Sequence, residues 1–120
     1  MGDTNMNTKV VNLFGGPGVG KSVLAAGLTY EIASRGVHVE LVDEFAKQLT
    51  WEDRRTELEN QVYVFAQQHR KIQRLVGKVP FVVTDSPLLS GIVYTKPGMY
   101  LALRDLVEEV FDYYENINFF

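Results

Sequence analysis

The stretch Gly15-Gly16-Pro17-Gly18-Val19-Gly20-Lys21-Ser22 matches the phosphate-loop pattern G-x-x-x-x-G-K-[ST] at every fixed position. An apolar run over Val10–Phe14 precedes it and indicates a buried strand. Ser22–Arg35 follows and predicts a helix, whose inward face is formed by Leu24, Leu28 and Ile32. In such a loop the backbone N–H groups point at a phosphate oxygen, and the helix N-terminus adds its positive dipole end. The eight residues therefore predict a binding site for a nucleoside triphosphate.

Two side chains of the loop and one downstream acid have separate roles in this prediction. Lys21 can reach the β- and γ-phosphates, and the Ser22 hydroxyl is placed to ligate Mg²⁺. Val79–Asp85 predicts an apolar strand ending in an aspartate that can hold the same Mg²⁺, directly or through water. The alternative is that Asp85 only caps the turn at Ser86-Pro87. The metal role predicts that side-chain oxygens of Ser22 and Asp85 lie within roughly 5 Å of each other.

Composition limits the classes of function. A chain of 120 residues with 46% apolar residues predicts one folded domain. The net charge of −3 provides no global basic field, so nucleic acid is not an expected partner. The absence of cysteine excludes disulfides and thiolate zinc sites, which suits the cytosol. The sequence has no run of 18 apolar residues, so we expect no membrane span and a cytoplasmic protein.

Two acids follow the second predicted strand, Val37–Val42. Strand, helix and strand in this order predict a right-handed crossover and a parallel pair. Ligands of parallel α/β sheets bind outside the carboxyl ends of the strands, where Asp43 and Glu44 would lie. A carboxylate there can accept a hydroxyl proton during attack on a γ-phosphate, or bind a ribose diol. We expect Glu44 to act on the acceptor and Asp43 to be structural. The alternative is an N-cap Asp43 and a first-turn Glu44.

The rest of the chain predicts two more helices and a fourth strand, Asn116–Phe120. Glu57–Val76 predicts one long helix, and Tyr100–Tyr114 an amphipathic one. The inward face expected of the amphipathic helix is formed by Leu101, Leu103, Leu106, Val107, Val110 and Phe111. The buried stripe of the long helix is formed by Leu58, Val62, Phe65, His69, Ile72 and Val76, which favours a partly buried histidine over a metal ligand. Off that stripe, Gln67, Gln68 and Arg70 can face a substrate cleft.

Two single residues carry further expectations. Gly27 lies inside the first helix, where glycine costs about 1 kcal/mol against alanine, so close packing of the helix on the sheet is its expected role. Trp51 either packs at the core or its edge, or stacks on a substrate ring.

Three segments together resemble the nucleoside-kinase-type P-loop ATPases: Gly15–Ser22, Asp43–Lys47 and Thr84–Pro87. Within that group, the chain resembles the ATPase domain related to bacterial ribosylnicotinamide kinases, of which a phage-type AAA ATPase version exists. The resemblance implies a parallel sheet in the order 2-3-1-4-5, ATP with Mg²⁺, and phosphoryl transfer to a nucleoside-like hydroxyl. It also implies that Lys21 and Ser22 hold phosphates and metal, that Glu44 or Asp43 acts on the acceptor, and that Asp85 is the Walker B acid.

The chain departs from that family after its fourth strand. Such kinases continue into an arginine-bearing lid and a fifth strand whose following loop contacts adenine, and all six arginines of this chain precede that point. A stabilising arginine is worth about 10³-fold or more in phosphoryl transfer. We also expect an incomplete sheet edge beside the first strand. A longer chain, a protein partner or a second copy is expected to complete the sheet and site.

Two classes of function follow from these patterns. The first is a kinase that transfers phosphate from ATP to a nucleoside or to nicotinamide riboside. The second is a regulatory or non-catalytic nucleotide-binding subunit, for example a phage component, within a larger complex. Turnover that depends on an acceptor distinguishes the first class from the second.

Overall fold

A parallel sheet of four strands organises the fold. The computed structural model describes residues 7–15, 19–93 and 101–120, without the side chains of residues 19, 92 and 93. The strands are β1 (Lys9–Leu13), β2 (Val39–Val42), β3 (Phe81–Thr84) and β4 (Glu115–Phe119). Their order is β2-β3-β1-β4, and each neighbouring pair is parallel. The predicted α/β class and the order 2-3-1-4 are confirmed, and assignment to the P-loop NTPase fold stays a prediction.

Helices cover both faces of the sheet, as buried parallel strands require. They are α1 (Val19–Ser34), α2 (Phe45–Trp51), α3 (Arg55–Glu59), α4 (Gln61–Gln73), α5 (Ser90–Val93) and α6 (Leu101–Asp112). Successive residues of β1 point to opposite faces. Val10 packs in a cluster with Ile72 of α4 and Phe111 of α6, whereas Val11 packs with Ala25 of α1. Within the described ranges, no helix is long and apolar enough to cross a membrane.

β1 is an interior strand, because β4 pairs with it along five residues from Lys9↔Glu115 to Leu13↔Phe119. The expected incomplete edge beside β1 is therefore wrong, and the edge lies at β4. Asn12 explains part of this pairing. It is 1% exposed, and its side-chain amide donates to Asn116 Oδ1 at 2.9 Å and to Asn118 Oδ1 at 3.0 Å. A buried amide needs such partners, and β4 supplies them. A partner chain at the sheet edge stays a prediction.

The single helix predicted over Glu57–Val76 is wrong, because Asn60 separates α3 from α4. Asn60 has an extended backbone, and its Oδ1 accepts a hydrogen bond from the Tyr63 N–H at 3.1 Å. Asparagine is favoured at this N-cap position because its side chain satisfies an N–H of the first turn. Apolar periodicity continues across the break, so the spacing alone could not reveal it.

Part of the predicted stripe on α4 faces the core. Ile72 is buried, whereas Val62 is 46% exposed. His69 is half-buried, stacks on Phe65 and shares a hydrogen bond of 2.5 Å with the Tyr114 hydroxyl. Burial lowers the pKa of His69 below its ordinary value. The histidine thus joins α4 to the chain that follows α6, and it has the partner expected of a partly buried residue.

The inward faces of two other helices differ from the expected ones. On α1, Leu24 is 58% exposed, and the side chains on the sheet are those of Ala25, Leu28 and Ile32. On α6, the buried residues are Leu103, Val107 and Phe111, whereas Leu101 and Leu106 are exposed. In both helices, the side chains that face the core form one row with a spacing of three or four residues. This row is narrower than the helix surface on which the sequence places apolar residues.

Gly27 does not mediate close packing, so that expectation is wrong. The residue is exposed, and a Cβ added to it would meet nothing within 4 Å. The glycine therefore adds backbone freedom to the unfolded chain without a packing gain in α1.

We expect Gly27→Ala to raise the free energy of unfolding by about 1 kcal/mol, because alanine is the better helix former and has room here. Chemical denaturation of both proteins measures the difference. The matched control is Gly36→Ala, which should destabilise, because Gly36 has φ +81°, a conformation that alanine adopts only with strain. A Gly27→Ala variant less stable than wild type would show that the site is constrained.

Candidate functional site

The carboxyl ends of β1, β2 and β3 lie side by side, because all three strands are parallel. They form the carboxyl edge of the sheet, which is distinct from its edge strand β4. The predicted site residues follow these strands. The phosphate loop comes after β1, Asp43 and Glu44 come directly after β2, and Asp85 comes directly after β3. This is the edge at which ligands of open α/β sheets bind.

Ser22 and Asp85 meet at this edge. The Ser22 hydroxyl donates a hydrogen bond of 2.7 Å to Asp85 Oδ2, which confirms the predicted separation of less than roughly 5 Å. Asp85 is 6% exposed, and its buried Oδ1 has no hydrogen-bond partner among the described residues. The alternative role of Asp85 was to cap the turn at Ser86-Pro87. Thr84 caps that turn instead, because its Oγ1 accepts a hydrogen bond from the Ser86 N–H at 3.0 Å.

This pair of oxygens fits the donor set of Mg²⁺. Mg²⁺ binds proteins through one or two carboxylates and hydroxyls, and takes its other ligands from water and substrate phosphates. Asp85 Oδ1 is a buried acceptor without a donor among the described residues, and Ser22 Oγ is adjacent to the same carboxylate. No cluster of three acidic, histidine or cysteine side chains occurs in the described part of the chain. A bound Mg²⁺ would therefore depend on water and phosphate oxygens for its remaining ligands.

The structure describes part of the phosphate loop. Gly15 has φ +149°, a backbone conformation that favours glycine, and its carbonyl accepts a hydrogen bond of 3.4 Å from Lys21 Nζ. Val19 begins α1, and Gly20 is exposed in its first turn. The other predicted nucleotide-binding residues, Gly16, Pro17 and Gly18, lie outside the described residues.

A second lysine, not predicted as a site residue, reaches the same hydroxyl. Lys47 lies in the first turn of α2, and its Nζ donates to Ser22 Oγ at 3.3 Å. Sequence spacing could not reveal this contact, because it joins α2 to α1 through the tertiary fold.

Asp43 and Glu44 have different surroundings. Asp43 Oδ1 is 2.6 Å from Lys71 Nζ of α4, so its carboxylate is already paired. Glu44, rather than Asp43, occupies the N-cap of α2, and its side chain makes no capping hydrogen bond. The alternative of an N-cap Asp43 with a first-turn Glu44 is therefore wrong. The Glu44 side chain is half-buried and lines a cavity.

That cavity has a volume of about 350 Å³ and is bounded by the segments that follow β2 and β3 and by helices α2 to α6. Its polar lining comes from Glu44, Thr50, Gln61, Gln68, Ser86 and Ser90. Its other lining residues are Ala46, Leu58, Val64, Phe65, Pro87, Leu88, Gly91, Leu103 and Val107. An apolar wall with a few polar groups is typical of small-molecule sites. Trp51, at 88% exposure, neither packs in the core nor lines this cavity.

Gln68 holds the connection between β2 and α2. It is 6% exposed, its Oε1 accepts from the Phe45 N–H at 2.7 Å, and its Nε2 donates to the Asp43 carbonyl at 3.0 Å. It also lines the cavity, as expected of a residue off the buried stripe. One buried side chain therefore fixes the backbone on both sides of Glu44.

No family model matches the chain, and neither the search of curated proteins nor the search of solved structures found a match. The likeness to nucleoside-kinase-type P-loop ATPases therefore remains an inference from three short motifs. The case for a function depends on the geometry of the sheet edge and of the cavity beside it.

We expect Gln68→Leu to lower the free energy of unfolding by about 1–3 kcal/mol, because the Phe45 N–H and the Asp43 carbonyl lose their partner. Denaturation by urea measures the loss. Gln73→Leu, at an exposed position near the end of the same helix, is the control and should be nearly neutral. Equal stability of the two variants would contradict a bracing role for Gln68.

Proposed function

We propose that this chain binds ATP with Mg²⁺ at the carboxyl edge of the sheet and transfers the γ-phosphoryl group to a hydroxyl of a nucleoside-like acceptor. The observation that carries the proposal is the hydrogen bond between Ser22 and the buried Asp85, whose other oxygen has no partner among the described residues. Glu44 lines a cavity beside this pair. Both parts of a phosphoryl-transfer site, a donor side and an acceptor side, then adjoin one sheet edge.

On the donor side, Lys21 would bind the β- and γ-phosphates, and Ser22 with Asp85 would hold the metal. Bound Mg²⁺ supplies charge neutralisation for the phosphates. The Lys21 ammonium lies 3.4 Å from the Gly15 carbonyl, a neutral partner that a phosphate oxygen can replace. Ser22 would turn its hydroxyl lone pair from the Lys47 ammonium to the metal.

On the acceptor side, Glu44 would accept the proton of the acceptor hydroxyl. The hydroxyl oxygen forms a bond to the γ-phosphorus, the bond from that phosphorus to the bridging oxygen of ADP breaks, and ADP leaves. Asp43 is a poorer base because Lys71 already pairs with it. The apolar lining residues suit a heterocyclic ring, and the polar lining residues suit a sugar. We also propose that the protein is cytoplasmic.

The regulatory alternative uses only the donor side. A nucleotide-binding subunit needs the loop, Ser22 and Asp85, and it leaves Glu44 without a chemical task. The two functions therefore differ in the effect of changing Glu44.

We expect Lys21→Ala to abolish nucleotide binding and to leave the fold intact, because the change removes an exposed charge and no core contact. Titration calorimetry with ATP and Mg²⁺ measures binding, and circular dichroism checks the fold. Lys78→Ala removes an equal charge at the opposite ends of the strands and should bind like wild type. Unchanged ATP affinity in Lys21→Ala would overturn the phosphate-loop assignment.

We expect Glu44→Gln to reduce acceptor-dependent turnover by about 10²–10⁴-fold and to leave ATP binding unchanged, because it removes the base without touching the loop. Asp43→Asn is the matched control and should have a much smaller effect, since Asp43 is paired with Lys71. The assay follows ADP release with a panel of nucleosides. If Asp43→Asn is the inactive variant, the roles are reversed, and if neither change matters, the regulatory alternative is favoured.

A further inference from the structure

Lys47 has no task in the mechanism above, although it directly contacts a residue of the donor side. Its Nζ donates to Ser22 Oγ at 3.3 Å, and the same hydroxyl donates to Asp85 Oδ2 at 2.7 Å. An ammonium group, a hydroxyl and a buried carboxylate thus form one chain of hydrogen bonds. The ammonium occupies the region around the oxygen that would bind the metal.

The charge of Lys47 is available to a ligand. In the described part of the chain, it has no carboxylate within ion-pair distance, whereas the neighbouring Lys71 is held by Asp43 at 2.6 Å. The arginine side-chain ion pairs join Arg35 to Glu31, and Arg54 to Glu52 and Glu57. Each of these ion pairs joins residues two to four positions apart in the sequence, and none of them includes a residue of the proposed site.

Lys47 also lies between the donor side of the proposed site and the acceptor cavity. Its neighbour Ala46 lines the cavity with Glu44, while Lys47 itself reaches Ser22. The first turn of α2 therefore contributes to the cavity lining through Ala46 and contacts Ser22 of α1 through Lys47. A group passing from donor to acceptor would cross the space next to this turn.

A metal ion and an ammonium group cannot share Ser22 Oγ, because their charges repel at such short distances. When the hydroxyl binds the metal, the ammonium must move to another acceptor. Phosphate oxygens are the strongest acceptors that a bound nucleotide brings, and lysine is a mobile point charge able to follow them.

We propose that Lys47 is a second phosphate-binding cation, which contacts the terminal phosphate of the bound nucleoside triphosphate. This role rests on the proposed function, and it deepens the description of the donor side. Lys21 reaches the phosphates from the loop, and Lys47 reaches them from α2. Lys47 would then neutralise charge on the transferred group, a task that phosphoryl-transfer enzymes commonly give to an arginine.

The test compares a non-hydrolysable ATP analogue with ADP in titration calorimetry, both in the presence of Mg²⁺. Lys47→Met should weaken binding of the analogue by about 10–100-fold, the worth of a hydrogen bond between charged groups, and leave ADP affinity within about twofold. Lys47→Arg keeps the charge and should retain most of the affinity for the analogue. Lys78→Met is the control for a lost surface charge and should change neither affinity.

Each outcome decides between the assignments. If wild type binds both nucleotides and Lys47→Met keeps the wild-type ratio of the two affinities, Lys47 does not contact the terminal phosphate. Equal weakening of both nucleotides also overturns the assignment, because it places the lysine at the inner phosphates. If wild-type protein binds neither nucleotide, the proposed function itself fails, and the role of Lys47 fails with it. Selective loss of analogue affinity in Lys47→Met, restored in Lys47→Arg, supports the proposal.

Discussion

Burial of the Asp85 carboxylate is the constraint on which the site depends. A carboxylate that is 6% exposed has lost most of its water, and the loss is unfavourable unless donors or cations replace it. Ser22 supplies one hydrogen bond from the first turns of α1, where the helix dipole also favours negative charge. Lys47 contributes positive charge through the same hydroxyl. The remaining oxygen has no hydrogen-bond partner among the described residues, and the proposed Mg²⁺ would satisfy it.

The sheet makes this arrangement possible by its register. β1 lies beside β3 with Asn12 opposite Thr84, so the residues that follow the two strands leave the sheet at the same level. Thr84 satisfies the Ser86 N–H, and the carboxylate of Asp85 is thereby released from the turn. Asn12, which could have been an unsatisfied amide in the core, is satisfied by the asparagines of β4. Polar groups inside the sheet therefore pair with one another, whereas Asp85 at its end keeps one oxygen without a partner among the described residues.

Local patterns predicted the features that arise locally. The loop motif and the strand–helix–strand order led to the parallel sheet, and the shared edge of parallel strands led to Ser22 meeting Asp85. The spacing of apolar residues was less informative, because it cannot show which row of a helix meets the sheet. It therefore placed Leu24 inward and missed the break at Asn60.

Sequence patterns predicted the contact between Ser22 and Asp85, but they did not predict three other contacts between distant segments. Lys71 neutralises Asp43, Gln68 braces the β2–α2 connection, and Lys47 reaches Ser22, each across more than twenty residues of chain. Each contact depends on how far a flexible side chain extends after the helices have packed. Periodicity describes only where a residue lies on its own element, so it predicts neither partner nor distance for such side chains.

Asp43 and Glu44 are adjacent in sequence, but their side chains have different surroundings. The Asp43 carboxylate pairs with Lys71, and the Asp43 carbonyl accepts a hydrogen bond from Gln68. The N–H of Phe45, two residues further on, donates to the same Gln68 side chain. Glu44 lies between these fixed points, and its own side chain neither caps α2 nor forms an ion pair among the described residues. The backbone of Glu44 is thus held, while its side chain lines the cavity without an ion pair to any described residue. The proposed role of Glu44 as a base needs this combination, because the position of a reacting group must be set in advance by bonds that the reaction does not have to break.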